Sequence, residues 1–308
     1  MAVEVLDAGF LTTVQDLGRF GYTHLGISPA GAADPLSLRI ANRLVGNDAN
    51  APALEMTLMG AALRFNEATV VAIAGAKCEV SIGGGSGPLH AALPVPAGAI
   101  LSCGNITAGA RTYIAMQGGI EVALVMGSAS TDLRGGFGGQ QGRKLQAGDV
   151  LQIGRRQTAS VARLKPEALD ALHCSGPVRL TRGAQQSWFG EETFERLFTV
   201  PYVVSEQSDR AGLRLKGEPL QPRIRRQLLT DGIPLGAIQV PPDGQPIILF
   251  VDLQSTGGYP KIANVISTDL HRIGQLRPRD AVRFQEVSLA EALNALRQQE
   301  EWFSGAFE

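Results

Sequence analysis

The sequence predicts a mainly β protein in two similar halves with a few short helices. Glycine takes 37 and proline 17 of the 308 positions, so short apolar segments are cut again and again by turn formers. Stretches with a sustained 3.6-residue period are few. A turn followed by an alternating strand also recurs: LQAGDVLQI at 145–153 resembles LRPRDAVRF at 276–284, and LPVPAGAIL at 93–101 is a looser third copy.

Taken in order, residues 3–6 and 10–14 read as a first hairpin over Ala8-Gly9. The following loop sets Gln15, Asp16, Arg19, Tyr22 and His24 close together, either as an Asp–Arg pair bracing a loop or as substrate contacts. A helix is predicted over 35–45. Asp34 can cap it, Pro35 suits its first position, Gly46-Asn47 ends it, and Leu36, Ile40, Ala41 and Leu44 share a face to be buried. The helix start after Ser28-Pro29-Ala30-Gly31 also suits an anionic ligand. From 61 to 115 strand follows strand, with turns at 83–88 and at Ala108-Gly109. The Gly83–Gly87 run lacks the Gly-Lys-Ser/Thr ending of a phosphate loop, and Pro88 rules out a nucleophile elbow, so a hairpin turn is predicted. Residues 134–144 spread five glycines among three cations, the pattern of a mobile loop whose N–H groups can nest an anion.

Polar, weakly periodic residues 157–175 read as a linker, which sets an N-terminal β-rich domain at 1–160 and a C-terminal domain at 175–308. The second half continues with a strand at 178–181, a helix at 191–198 burying Phe194, Leu197 and Phe198, a strand at 202–205, a charged turn with an Asp209–Arg210 pair, and a strand at 213–215. The chain's centre of gravity is 231–262. Apolar runs at 235–240 and 246–252 flank Pro241-Pro242-Asp243-Gly244, where proline fixes φ and glycine frees it, so a hairpin forms. It leads into Gln254-Ser255-Thr256-Gly257-Gly258-Tyr259-Pro260-Lys261, whose paired glycines permit close backbone approach amid an amide, hydroxyls, a phenol and an ammonium. A decorated hairpin loop is the plainer alternative. After it come a helical turn at 269–276 and a last helix to about 302, opened by the capping box Ser288-Leu289-Ala290-Glu291 and packing through Leu289, Ala292, Leu293 and Leu296.

Composition excludes several classes. A net charge of −1 leaves no basic excess for nucleic acid, and Arg223-Ile224-Arg225-Arg226 reads as a solvated edge. Cys78, Cys103 and Cys174 are odd in number and lack metal spacing, which suits reduced cytosolic thiols and neither a disulfide frame nor a metal site; Cys78 and Cys103 fit the core. The first residues carry no signal-peptide pattern and no apolar run reaches the ~20 residues of a membrane span, so a cytoplasmic location away from membranes is expected.

The blocks VQDLGRFGY, GISPAGAADPLSLRIANRLVGN, ALEMTLMGAALRF, MQGGIEV, GSASTD, GRKLQAGDVL, SDRAGLRL, GAIQVPPDGQPIILFVDLQSTGGYPKIANVI and DLHRIGQLRPRDAVRF together closely resemble the allophanate hydrolase subunit 2 family. That family takes in the C subunit of 5-oxoprolinase, an antagonist of a sporulation-kinase inhibitor, and the second half of the carboxyltransferase domain of urea carboxylase. The resemblance implies β-barrel-like, cyclophilin-like halves. It further implies a subunit of an ATP-dependent 5-oxoprolinase, turning 5-oxoproline into glutamate with a companion like the B subunit of that enzyme and with a third polypeptide; ATP then acts at the level of the complex. The alternatives it leaves open are a carboxyltransferase half-domain served by biotin on another protein, since no Met-Lys-Met attachment site occurs, and a regulatory binding subunit without chemistry. Its polar blocks fall on Gln15, Asp16, Arg19, Tyr22, Arg210, Gln239, Gln254 and Thr256 as substrate contacts, with Asp34, Tyr259 and Lys261 as catalytic candidates. Departures stand at Leu253, where the resemblance leads one to expect arginine, at Ala211 for methionine, and at Thr230-Asp231 for serine and glutamate.

Overall fold

The computed structural model describes residues 1–155, 162–172, 176–224 and 228–308. Strand outweighs helix, 35% against 18%, and forms two nearly closed, barrel-like sheets. The chain divides into two compact units. One comprises Met1–Arg19, Ala30–Leu169 and Ala306–Glu308, the other Phe20–Pro29 and Asp170–Gly305.

The first unit holds β1 (Ala2–Asp7), β2 (Leu11–Gln15), α1 (Pro35–Leu44), β3 (Ala53–Thr57), β4 (Ala62–Phe65), β5 (Thr69–Ile82), β6 (Gly85–Ser86), β7 (Ala92–Val95), β8 (Ile100–Met116), β9 (Ile120–Glu121) and β10 (Val150–Ile153). The sheet order is β2-β3-β8-β4-β1-β10-β9, with β5 on β8 and β6 and β7 on β5. Val3, Val5, Leu54, Met56, Phe65 and Ile114 fill its core. The expected first hairpin does not form, because β1 pairs with β4 and β10 while β2 pairs with β3. Gly9 explains this: at φ +63° it lies so near other backbone that a Cβ would stand 2.4 Å from the Met59 carbonyl, and the chain is carried across instead of back. The expected turn at Ala108-Gly109 is also corrected. β5 and β8 form one long ribbon of 14 and 17 residues, whose twist is taken up by register shifts between Gly75 and Val80.

The glycines of 134–144, expected to give a mobile loop, serve close packing. A Cβ on Gly138 would meet the Ser130 carbonyl at 2.1 Å, and one on Gly139 the Thr131 hydroxyl at 2.0 Å. Within the expected linker the chain forms α2 (Pro166–Leu172), and Arg163 and Lys165 exchange backbone bonds with Glu308 and Ala306. Residues 157–161 and 173–175 of that linker, Cys174 included, lie outside the described residues, as do Arg225 and Arg226.

In the second unit stand β11 (Val178–Arg182), α3 (Glu191–Thr199), β12 (Tyr202–Val204), β13 (Gly212–Lys216), β14 (Asp231–Gly232), β15 (Ala237–Gln239), β16 (Ile247–Leu249), β17 (Thr256–Gly257), β18 (Lys261–Val265), α4 (Leu270–Gly274), β19 (Ala281–Val282), β20 (Phe284–Glu286) and α5 (Leu289–Gly305). The main sheet runs β19-β12-β13-β16-β15-β18-β11-β20, and β14 pairs with β17 alone. The central hairpin forms as expected: Ile238 faces Ile248, and Gly244 at φ +78° donates to the Pro241 carbonyl at 2.9 Å. In α5 the capping box is present, Ser288 N–H to Glu291 at 2.7 Å and Glu291 N–H to Ser288 Oγ at 3.2 Å. Its expected packing face is not: Leu289, Leu293 and Leu296 are 70%, 49% and 37% exposed, and Ala295 is the buried residue. Periodicity says which residues share a face and leaves open what covers it.

The sequence echo corresponds to one repeated backbone turn. Gly148 N–H donates to the Val5 carbonyl and Asp149 O accepts from Val5 N–H, both at 2.8 Å. Arg279 and Asp280 do the same with Val204 at 2.8 and 2.9 Å, and Gly98 and Ala99 with Phe65 at 2.7 and 3.1 Å. Asp149 and Asp280 each close the turn by accepting from the N–H three residues back, at 2.8 Å. The middle residue is left-handed every time, at φ +90°, +77° and +77°, yet in the second unit it is an arginine, Arg279.

Arg279→Gly should therefore stabilise the protein by about 0.5 kcal/mol and Gly148→Arg destabilise it by about 1 kcal/mol, opposite signs readable from urea midpoints. Burial pushes the Asp269 carboxyl up, but the Arg179 guanidinium and N–H and the Arg272 charge more than reverse this and leave it below its ordinary value. Its contribution is thus present above the unfolded value near ~3.9 and fades as pH falls through the lower folded one. Asp269→Asn should flatten the acid limb of a stability–pH curve between roughly pH 5 and 2.

Candidate functional site

In the second unit the stretch after Phe250 gathers five of the residues singled out in sequence. Lys261 opens β18 opposite Gln239 of β15, so strand pairing places both side chains on one face. Gly183 makes room for the backbone there, since a Cβ would stand 2.4 Å from the Lys261 carbonyl. Gln185 then clasps Lys261 from both sides, accepting from its N–H at 3.0 Å and donating its own N–H to the Lys261 carbonyl at 3.1 Å. The Lys261 residue is 2% exposed. Its ammonium donates to Asp231 Oδ2 at 2.6 Å and to the Gly232 carbonyl at 3.1 Å. That ammonium, with the Gly232 N–H and Gln185, holds the Asp231 carboxyl below its ordinary value.

Above this pair lies the β14–β17 ribbon, with Asp231 opposite Gly257 and Gly232 opposite Thr256. The amides of Gln239 and Gln254 converge beneath Gly257, where a Cβ would meet them at 3.0 and 3.4 Å. Gln239 also donates to the Tyr259 carbonyl at 3.4 Å. The Tyr259 side chain is 43% exposed and stands at a cleft of about 570 Å³ lined by Trp188, Pro222, Val240, Pro241 and Pro260. Tyr22 belongs to the same unit; the turn it opens brings Gly26 to within 4.0 Å of the Ser255 hydroxyl, measured from a Cβ on Gly26.

Arg210 anchors the base of this loop. It pairs with Asp252, Nε to Oδ2 at 2.9 Å and Nη2 to Oδ1 at 3.1 Å, both side chains buried. The expected Asp209–Arg210 pair is replaced by a division of labour, because Asp209 accepts from the Ala211 and Gly212 N–H groups and so shapes the turn. Leu253 is 2% exposed and packs with Ile233, Ala237 and Leu249, so the position expected to bear arginine faces an apolar cluster.

The other candidates lie in the first unit. Asp34 caps α1, Oδ1 accepting from the Ser37 N–H at 2.9 Å and Oδ2 from the Ser37 hydroxyl at 2.6 Å. Its own N–H donates to the Tyr113 hydroxyl at 2.7 Å, and that hydroxyl donates to Glu55 at 2.6 Å, which also accepts from Ala33 N–H at 2.8 Å. Burial and the neighbouring Glu55 and Asp34 carboxylates push the Tyr113 phenol well up, keeping it a donor. Asp16 is a buried hub for the Ser128 and Ser130 hydroxyls, at 2.7 and 2.5 Å, and for the Gly18 and Ala129 N–H groups. Arg19 donates to the Ser130 carbonyl and lies over the Phe137 ring, and Gln15 donates to Thr13 and to the Thr131 carbonyl. Among the described residues no cluster of three or more metal-ligating side chains occurs, and no helix is long and apolar enough to cross a membrane.

Sequence reading missed Gln185, Asp231 and Asp252 around the loop and Glu55 and Tyr113 beneath Asp34. The last two sit opposite each other on β3 and β8, a register no local pattern discloses. Removing one partner of the buried Arg210–Asp252 pair strands the other charge. Arg210→Met and Asp252→Leu should each cost about 3–5 kcal/mol, and the double variant should recover most of that loss in a denaturant cycle.

With the geometry in place, comparison with known proteins is informative. The chain is 40% identical over 301 residues to the C subunit of 5-oxoprolinase from Escherichia coli strain K12, covering 98% of this chain and 96% of that one. It is 34% identical to the urea amidolyase of Saccharomyces cerevisiae across 93% of its own length, but spans only 17% of that protein. The crystal structure of the urea amidolyase of Kluyveromyces lactis superposes with a TM-score of 0.91 at 33% identity, covering 97% of this chain and 19% of the other. Residues 25–286 match the model of the carboxyltransferase domain, subdomain A and B, and the chain belongs to that family.

Proposed function

We propose that this chain is a subunit of an ATP-dependent 5-oxoprolinase and opens 5-oxoproline to glutamate together with a companion polypeptide. The observation that carries this reading is the end-to-end kinship with the C subunit of 5-oxoprolinase, which nearly fills both chains. The local chemistry is compatible. A lactam carbonyl is a poor electrophile and must be activated by phosphorylation or by aimed donors before water attacks. Lys261 carries three N–H bonds and gives two of them to Asp231 and Gly232, so the third can serve a carbonyl or carboxylate oxygen. Tyr259 offers a phenolic donor at the rim of the cleft. Both Asp34 oxygens are engaged by Ser37 in capping α1, so we assign the base to no residue of this chain.

A second reading is favoured by the family match and by the close fold of the urea amidolyase. Here the chain is a carboxyltransferase half-site, and biotin arrives on another protein. The cleft beside Tyr259 falls in the ~300–1,000 Å³ range of small-molecule sites and is larger than a lactam requires, which suits a bicyclic ring. Bound there, biotin would supply a transferable carboxyl group, and Trp188 and Tyr259 would flank its ring.

Co-purification with the polypeptides encoded beside this chain, followed by assay, separates these readings. The first expects ADP and glutamate formation that depends on 5-oxoproline and is insensitive to avidin; the second expects turnover that avidin abolishes. Lys261→Met should lower kcat/KM by about 10²–10³ and Tyr259→Phe by about tenfold or more, while circular dichroism and co-elution of the complex stay as in the wild type. Unchanged turnover in both variants would remove the loop from the reaction.

A further inference from the structure

The β5–β8 ribbon carries two thiols that the chemistry above does not use. Cys78 on β5 and Cys103 on β8 are free and buried in the same apolar cluster. Register pairs Val80 with Cys103 and Cys78 with Ile106. Residues two apart on a strand share a face, so Cys103 sits diagonally across from Cys78 on the inner side. In a regular ladder such neighbours lie ~7–8 Å apart, beyond the ~7 Å that a bridge spans without backbone movement. This ladder is irregular here: its register shifts between Cys78 and Val80, where two steps on β5 answer three on β8. Within this pair each thiol is the strongest influence on the other.

We propose that Cys78 and Cys103 are a dithiol modification site that a peroxide closes to a disulfide, stapling β5 to β8. The Cys78 sulfur attacks the peroxide O–O bond and takes one oxygen, becoming a sulfenic acid, while the other oxygen leaves as water. The Cys103 sulfur then displaces that hydroxyl as a second water and the S–S bond forms. Two thiols are oxidised, one hydrogen peroxide is reduced, and a small dithiol reverses the step by exchange. The order of roles follows from the unequal pair: Cys103 lowers the Cys78 thiol, while Cys78 and burial push the Cys103 thiol well up.

The test is peptide mapping of the reduced, full-length protein under non-reducing conditions after treatment with hydrogen peroxide. The expected product is a linked Cys78–Cys103 peptide pair lighter by two hydrogens, retained in Cys174→Ser, lost in Cys78→Ser and Cys103→Ser, and reversed by dithiothreitol. The wild-type map alone decides the question if a serine variant fails to fold. Two intact thiols, singly oxidised cysteines, or links to Cys174 alone would overturn the proposal. None of these outcomes bears on the lactam reading, since no activity is measured.

Discussion

Burying an ammonium constrains everything around β18. Taken out of water without partners, such a group costs several kcal/mol. At 2% exposure Lys261 escapes that fate because the chain brings a carboxylate and a carbonyl to it from the short ribbon above. This explains why a two-residue strand, β14, is held at all. It also explains why Gly183 approaches so closely that Gln185 can grip the Lys261 backbone on both sides. The polar loop is therefore built around one charge: Thr256 takes its position from the ribbon, and Gln239 from the pairing of β15 with Lys261 on β18.

The repeated turn supplies the frame that makes this possible. A left-handed residue followed by Asp or Ala exchanges backbone bonds with one residue of a neighbouring strand and hands the chain into the next strand, once for β4 and β8, once for β1 and β10, and once for β12 and β19. The same hydrogen bonds thus recur twice in the first unit and once in the second, although the two sheets differ in strand number and order. Arg279 shows how far the sequence drifts while the conformation holds: exposed and paired with Glu206, it tolerates a geometry its two counterparts reach with glycine.

Local chemistry was legible and long-range register was not. Asp34-Pro35, the Pro241–Gly244 turn and the Ser288–Glu291 box announce themselves because cap and turn rules act within four residues. The loop's candidates were legible as polar residues around paired glycines, and the structure gathers Gln239, Gln254, Thr256, Tyr259 and Lys261 in one unit. Their partners were hidden, because Asp231 lies 30 residues and Gln185 76 residues away in the chain. The same limit produced the false hairpin at Gly9 and the false turn at Ala108-Gly109. Glycine permits both reversal and close crossing, and only the contacted backbone says which occurs.

The charge balance of the loop bears on what it can recognise. Arg210 is matched by Asp252 and Lys261 by Asp231, so each of these two buried cations already has its anion. Leu253 adds no cation, since its side chain turns into the cluster around Ile233 and Leu249. Asp231 is half exposed and can swing to water, whereas Asp252 cannot leave Arg210 without burying a bare charge. The two salt bridges are therefore held unequally: the buried one fixes the base of the loop, and the half-exposed one can open.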